Sequence, residues 1–470
     1  MKLETNQNVK SDPEWSTPKA SVLPAELTVS SARRFLEESG VKYVLVQFVD
    51  IHGVIKSKAV PVSHFDDIFT DGAGFAGAGV WGLGMLPHEP EYMVVGDLES
   101  LLLTPWYPGY ARVMGTGLVA GKPQPLDTRN ILKAQAARLA ERGWVLNTGI
   151  EPEFVLFRRG ADGALAPFDD TDTLAKPAYD YRGLSRGRIF LERLVESLQS
   201  VGIDVYQIDH EDANGQYEVN FKYADALKSA DQVSFFKMAA SEIAHQVGAI
   251  CSFMPKPSTH STGSGMHIHC SIADETGANI FYDKTDPRGM GLSTLAYHFI
   301  GGILHHAPAL TALLAPTVNS YKRLVVGNNA SGTTWAPVFI AYGDNNRTAM
   351  VRIPYGRIEL RVGDASMNPY LATAALIAAG MDGVERELDP GEPHNVNFYA
   401  LSSQAISDLG VATLPQTLQE AVAALEADPL FARTLGAEII AEFIALKKNE
   451  WSEYNRHVGQ WETDRYLSFF

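Results

Sequence analysis

Residues Tyr206–Phe221, YQIDHEDANGQYEVNF, constrain this chain more than any other stretch. Asn214-Gly215 suits a two-residue type I′ hairpin turn, whose central positions both need φ > 0. A turn centred there puts Glu211 directly opposite Glu218. Like charges so placed repel. A bound cation removes the conflict, because carboxylate oxygens are what Mg²⁺ or Mn²⁺ prefers. Two hydrated acids at a solvent-facing hairpin end are the alternative.

The 470 residues leave room for two or three domains and a large core. A hydrophobic fraction of 46% with 20% charged residues fits a soluble globular protein. The net charge of −16 argues against nucleic acid or an anionic membrane as partner, since both call for a basic face. It leaves open an anionic small substrate held by local arginines. Cys251 and Cys270 have no CxxC partner and point to a reducing, cytoplasmic setting. Residues 1–26 lack an apolar signal core and read as a flexible, polar lead. Phe299–Val318 is apolar, but its two histidines and two prolines favour a buried helix and a bend over a membrane span.

Along the chain, a helix capped by Ser30 or Ser31 is expected through Ser39, followed by a hairpin of Tyr43–Asp50 and Val54–Val60. The glycine-rich residues 71–90 suggest an irregular loop. GTGLVAGKP at 115–123 does not have the spacing of a phosphate-binding loop, and Pro123 follows Lys122 where Ser or Thr is required. A domain boundary is placed near Leu126, giving units 27–125 and 126–470. Consecutive strands with tight turns, and helices grouped beside them, favour an α+β fold over a Rossmann alternation.

Three further stretches repeat the opening pattern. Glu151-Pro152-Glu153 places two carboxylates on one face of an extended chain, and Pro152 implies an edge or a strand start. His267-Ile268-His269 does the same with imidazoles, and Arg357-Ile358-Glu359-Leu360-Arg361 with Arg, Glu and Arg. Singly, each has a structural reading: a hydrogen-bonded core histidine, or an ion-pair ladder. Together they offer enough oxygen and nitrogen ligands for two or three divalent ions. Arg323, Arg347, Arg352, Arg357 and Arg361 add candidate anion binders in an acidic chain. Gly327–Trp335, GNNASGTTW, reads either as a mobile flap or as an inert surface loop.

With these residues in view, the chain resembles the glutamine synthetase superfamily. The matching stretches are GIEPEFVLF, HEDANGQYEVNF, FMPKP with TGSGMHIH, NSYKRL, NNRTAMVRIP and RIELRVGDASMNPYL, in family order. The likeness is strongest to the γ-glutamylmethylamide synthetase-like branch, which joins glutamate to amines other than ammonia. It implies a small β-grasp-like N-terminal domain and a large catalytic domain with an antiparallel sheet. It also implies active sites between subunits of stacked rings, a dodecamer. By the resemblance, Glu153, Glu211 and Glu218 hold one Mg²⁺ or Mn²⁺, and Glu151, His267 and Glu359 a second. Arg323 and Arg361 clamp the carboxylates of L-glutamate, with Gly263 contacting it through its backbone. Arg347, Arg352 and Arg357 face the ATP phosphates, and His269 and Ser271 lie by the nucleotide.

The implied reaction makes γ-glutamyl phosphate from glutamate and ATP, and an amine then displaces phosphate. Ammonia-using members carry a Phe-Asp-Gly-Ser-Ser loop and a flap glutamate; here Phe75-Ala76-Gly77-Ala78-Gly79 and Gly327–Trp335 contain no acid. The expectation is a roomier, less anionic pocket with Ala76 and Tyr179 at the substrate, and a primary organic amine that arrives, or is readily made, neutral. Protons would then be handled by Glu211 or by phosphate. Ammonia as the substrate is the second reading, and a non-catalytic structural or sensor member the third. Tyr399 matches a tyrosine that is adenylylated in some relatives and is read here as structural.

Overall fold

The computed structural model describes residues 15–21, 23–160, 163–326 and 336–470. The expected flap, Gly327–Trp335, and most of the expected lead lie outside the described residues. The described part of the lead is tied down: Trp15 Nε1 donates to Glu196 Oε2 (2.9 Å), and Ser21 N to Ser200 O (2.7 Å). Among the described residues, no helix is long and apolar enough to cross a membrane.

The first helix, Val29–Glu38, starts one residue before the expected serines. Thr28 is extended there, its Oγ1 accepting from Ser31 N (3.1 Å) while Ser31 Oγ accepts from Thr28 N (2.9 Å). This reciprocal cap satisfies two backbone donors at once, which a lone serine cap does not. The strands that follow are β1 Tyr43–Val49, β2 Ile55–Pro61, β3 Ala73–Phe75, β4 Tyr92–Gly96, β5 Leu102–Leu103, β6 Tyr110–Val119 and β7 Lys122–Pro123. They form one sheet in the order β2-β1-β6-β4-β3, with the expected β1–β2 hairpin and a parallel β1–β6 pair. Helix Thr128–Ala140, capped by Asp127 Oδ1 on Asn130 N (2.7 Å), touches strands of this sheet and of the next.

The second sheet comprises β8 Val145–Arg159, β9 Leu165–Pro167, β10 Val205–His210, β11 Gln216–Phe221, β12 Ala224–Asp225 and β13 Ile250–Ser252, then β14 Met266–Ala273, β15 Phe339–Asp344, β16 Ala349–Ile353 and β17 Ile358–Leu360. Its main path is β10-β11-β8-β14-β17-β16-β15, antiparallel except for the β15–β16 pair. One face is apolar: Ile150, Phe154, Val219, Ile268 and Leu360 are fully buried. Phe154 meets Phe190 and Phe236, from helices Tyr181–Ser200 and Ala226–Gln246. Each such aromatic adds about 1.5–3 kcal/mol of burial free energy. The polar residues of the same strands face the other way.

Two local expectations fail. Asp209, not Glu211, faces Glu218, and His210 faces Tyr217. Only Gly215 (φ +71) of the central pair is left-handed, so no type I′ turn forms. The chain loops from Glu211 to Gln216 instead, closed by Glu211 N to Gln216 O (2.9 Å) and Gln216 N to Ala213 O (3.0 Å). The cause is tertiary: the Asp172 carboxylate accepts from Gly215 N (2.6 Å) and Asn214 Nδ2 (3.0 Å). Pro152, expected at an edge or a strand start, sits inside β8 opposite Met266. It is tolerated because β8's registered pairing with β11 begins at Glu153, so the missing N–H falls where that ladder stops.

Candidate active site

Directly opposed residues in a sheet project to the same face. Asp209 on β10, Glu218 on β11 and Glu153 on β8 therefore stand abreast. His267 on β14 stands opposite Glu151 on β8, and His269 stands opposite Glu359 on β17. Glu359 is in turn opposite Arg352 on β16. Glu211 follows β10 by one residue, on the same alternation as Asp209. The acids and imidazoles singled out in the sequence, with Arg352, thus converge on one polar face.

The side chains meet closely. His267 Nδ1 lies 3.6 Å from Glu359 Oε1 and 3.9 Å from Glu151 Oε2. His269 Nε2 lies 3.0 Å from Glu151 Oε1. Ligand atoms of Glu151, His269 and Glu359 all fall within 4.8 Å of one another, so His269, expected at the nucleotide, also borders this ligand set. Glu153 Oε2 accepts from Gly265 N (2.8 Å) and Gln216 Nε2 (3.0 Å), and Glu218 Oε1 accepts from Asn220 Nδ2 (2.9 Å). These amides fix which way the carboxylates point.

Electrostatically the site has two halves. Burial, reinforced by Glu153 and Asp209, pushes Glu211 up to about 8. Burial and the charges of Glu151, Glu153 and Glu211 push Glu218 well above the carboxylate range. In the other half burial also disfavours charge, but hydrogen bonds from His267 and His269 hold Glu151 well below its usual value. Glu359 likewise falls to about 2, burial being outweighed by Arg361 and the two histidines. Carboxylates that burial and mutual repulsion drive toward neutrality are what a divalent cation would hold ionised. The donor set, five carboxylates and imidazole, fits Mg²⁺ or Mn²⁺. Among the described residues the buried Gln216 Oε1 and Asn220 Oδ1 have no hydrogen-bond partner, leaving acceptors beside the acids.

The cationic residues surround this centre. Arg323 is buried, donating through Nη1 to Val362 O (2.9 Å) and Nη2 to Arg361 O (3.1 Å). A Cβ on Gly265 would lie 2.8 Å from His267 Nε2 and 3.1 Å from Arg323 Nη2, so bare backbone is needed where these groups crowd. Gly263 O accepts from Gln216 Nε2 (3.0 Å). Arg361 pairs with Glu359, and its buried Nε has no partner among the described residues. Arg352 Nη1 donates to Glu359 Oε2 (2.6 Å), and Arg357 Nε to His269 Nδ1 (3.2 Å). Ser271 is half-buried opposite Asn147.

Other expected residues stand apart. Arg347 is exposed on the β15–β16 connection, in a cavity of about 600 Å³ shared with Lys176, Asn345 and Tyr399. No described hydrogen bond or ion pair ties it to the acids. Tyr179 is exposed with a left-handed backbone (φ +63), and its N–H donates to His210 O (2.8 Å). Ala76 is exposed on the N-terminal sheet's side of the chain, at the start of a short 3-10 turn. The Tyr399 hydroxyl donates to Ala336 O, in keeping with a structural role.

Sequence reasoning missed Asp209, Gln207, Asn220 and the Asp172–His210 pair (2.9 Å). The alternation of Gln207, Asp209 and Glu211 was a usable signal for the first two; nothing local marks Asp172 as part of the site.

The glutamine synthetase catalytic-domain model matches residues 125–466. A glutamate–methylamine ligase of Methyloversatilis universalis is 57% identical over 445 residues, covering 94% of this chain and 100% of that protein. A glutamine synthetase of Rhizobium leguminosarum bv. phaseoli is 39% identical over 435 residues, covering 92% and 98%. Among solved structures, a GmaS/ADP complex superposes with a TM-score of 0.88 at 41% identity, covering 94% of this chain and 100% of that one. The fold, the convergent acids and these similarities together establish that the chain belongs to the glutamine synthetase family.

Proposed function

We propose that this protein is an ATP-dependent ligase that joins the γ-carboxylate of L-glutamate to a primary organic amine, methylamine first, releasing ADP and phosphate. The observation that carries the reading is the convergence of Glu151, Glu153, Glu211, Glu218, His267 and Glu359 on one sheet face. The 57% identity to a glutamate–methylamine ligase supports an organic amine over ammonia, as does Ala76 where ammonia-using relatives carry an acid.

In this reading Arg323, Arg361 and the Gly263 backbone hold glutamate, while Arg352, Arg357, His269 and Ser271 face the nucleotide. Arg347 reaches the phosphates from the rim. A γ-carboxylate oxygen attacks the terminal phosphorus of ATP, and the bond to ADP breaks. The amine nitrogen then attacks the activated carbonyl carbon, phosphate leaves, and the nitrogen loses a proton. Two or three divalent cations held by the acids and His267 would supply charge neutralisation where the anions meet. Arginines add fixed positive charge that needs no reorganisation during the step. The Ala76 loop contributes from a neighbouring subunit of a cytoplasmic, stacked-ring dodecamer.

Phosphate release with glutamate, ATP and Mg²⁺ or Mn²⁺ across a panel of amines tests the proposal. The highest kcat/KM is expected with methylamine or another primary amine. A maximum at ammonia refutes the amine preference, and no turnover with any amine refutes the ligase.

A further inference from the structure

Arg352 projects from β16 opposite Glu359, and its side chain is 16% exposed. Its guanidinium is held at two points. Nη1 donates to Glu359 Oε2 (2.6 Å), and Nε donates to Asn345 Oδ1 (2.8 Å). Among the described residues its Nη2 makes no hydrogen bond. A planar guanidinium fixed through two of its nitrogens presents the third in one direction.

Asn345 opens the β15–β16 connection with a left-handed backbone (φ +48), a conformation that asparagine takes up more readily than most residues. Its N–H donates to Ile353 O (3.0 Å), which closes the connection onto β16 next to Arg352. The neighbouring residues secure this connection by themselves. Asn346 Nδ2 donates to His394 O (2.7 Å) and Val396 O (2.9 Å), and its Oδ1 accepts from Thr348 N (3.0 Å). Asp344 N donates to Asn395 Oδ1 (2.8 Å). The Asn345 side chain has no part in these bonds, and its oxygen goes to Arg352 instead. Asn345 also lines the cavity that holds Arg347.

The choice of an amide at this position has a chemical reason. Glu359 belongs to the proposed metal-ligand set, and a cation there competes with Arg352 for the carboxylate. A second carboxylate in place of Asn345 would restrain the guanidinium but offset the charge that a phosphate needs. A neutral acceptor fixes the direction and leaves the charge available, without reorganisation when the phosphate arrives. We propose that Asn345 is a positioning residue that aims Nη2 of Arg352 at the polyphosphate of bound ATP. This rests on the ligase reading above.

The test measures nucleotide binding without turnover, by titration calorimetry in Mg²⁺, with β,γ-imido-ATP and with AMP, which has no β- or γ-phosphate. Asn345→Gly keeps the left-handed backbone and removes the oxygen. Its Kd for β,γ-imido-ATP should rise about 5- to 20-fold, while its Kd for AMP should change by less than about twofold. In an R352K background, where no Nε–H remains to be held, N345G should add less than about twofold. In turnover, N345G should lower kcat/KM for ATP and leave the KM for glutamate near wild type. N345S, whose hydroxyl falls short of Nε, replaces N345G if the glycine variant does not fold. Equal losses with both nucleotides, or an undiminished loss in the R352K background, overturn the assignment. If the wild type binds β,γ-imido-ATP and N345G binds it equally well, only Asn345 is refuted; if the wild type does not bind it, the ligase reading falls as well.

Discussion

Glu218 on β11 stands directly opposite Glu153 on β8, and both are buried. Without a cation this is repulsion in a low-dielectric setting, and Glu218 carries the largest share of it because Glu151, Glu153 and Glu211 all act on it. Glu218→Gln should therefore move two properties in opposite directions. In chelator the variant should be more stable than wild type by about 1–2 kcal/mol, because a neutral amide avoids the cost of burying or neutralising a carboxyl group beside three others. With Mg²⁺ or Mn²⁺ its thermal shift should shrink, and turnover should fall more than about 100-fold. Thermal melts with and without metal read both. A metal response equal to wild type would remove Glu218 from the ligand set.

Glycines on helix Tyr181–Ser200 let β10 and β11 approach it. A Cβ at Gly183 would sit 2.1 Å from His210 Cδ2, and one at Gly187 would sit 2.5 Å from the Tyr217 hydroxyl. His210 bridges Asp172 through Nε2 (2.9 Å) and the Glu211 carbonyl through Nδ1 (2.8 Å). Gly183→Ala should push the imidazole away and shift the Glu211 backbone with it. The expected cost is about 1–3 kcal/mol in urea unfolding, typical of overpacking, and kcat should fall with it. Retention of full kcat would show that Glu211 is positioned independently of His210.

The shared face of Glu151, Glu153, His267 and Glu359 was legible because strands impose a period of two, so Glu-Pro-Glu, His-Ile-His and Arg-Ile-Glu-Leu-Arg each declare a face. Which residues stand abreast was less legible. The β10–β11 register depends on Asp172, which satisfies the turn from 42 and 43 residues away in sequence. Asn-Gly propensity is a local term and loses to that buried carboxylate. Asp209 stayed hidden for the same reason, since the expected turn gave Glu218 a different partner. Strand β15 was missed because FIAYGD is a short apolar run without alternation, and such runs do not separate strand from buried helix. Its pairing with β16 is parallel and irregular, so no hairpin signal marks it.

Ala76 offers a test of amine choice remote from the metal ligands. It is exposed, with φ −68 and ψ 94, a conformation that aspartate adopts without strain. If its loop faces a neighbour's amine pocket, Ala76→Asp adds an anion where a small cation can sit and a bulky alkyl group cannot. The ratio of kcat/KM for ammonia to that for methylamine should rise about tenfold, the scale of one added charge contact. An unchanged ratio in an assembled, active variant would place the amine elsewhere.

Away from the active site, His306 joins three parts of the helical layer. Its Nδ1 lies 2.6 Å from Asp428 Oδ2 and its Nε2 3.0 Å from Asp382 Oδ2, and Asp382 also accepts from Arg386 Nη1 (2.7 Å). Burial works against a charged imidazole, but its hydrogen bonds to the Asp428 and Asp382 carboxylates outweigh it and raise His306 above 6.5. A folded-state value above the unfolded one stabilises fully below pH 6.5 and is lost as pH rises through the raised folded value. The two aspartates are held low despite burial, mainly by His306, so their contribution is present above the ordinary aspartate range and fades in acid. His306→Gln should thus cost about 3 kcal/mol near pH 6, where it breaks a charged buried triad. The gap to wild type should narrow towards pH 9 as the native imidazole loses its proton. Urea unfolding at the two pH values measures both gaps; a gap that stays constant would mean that His306 works by shape and neutral hydrogen bonds rather than by charge.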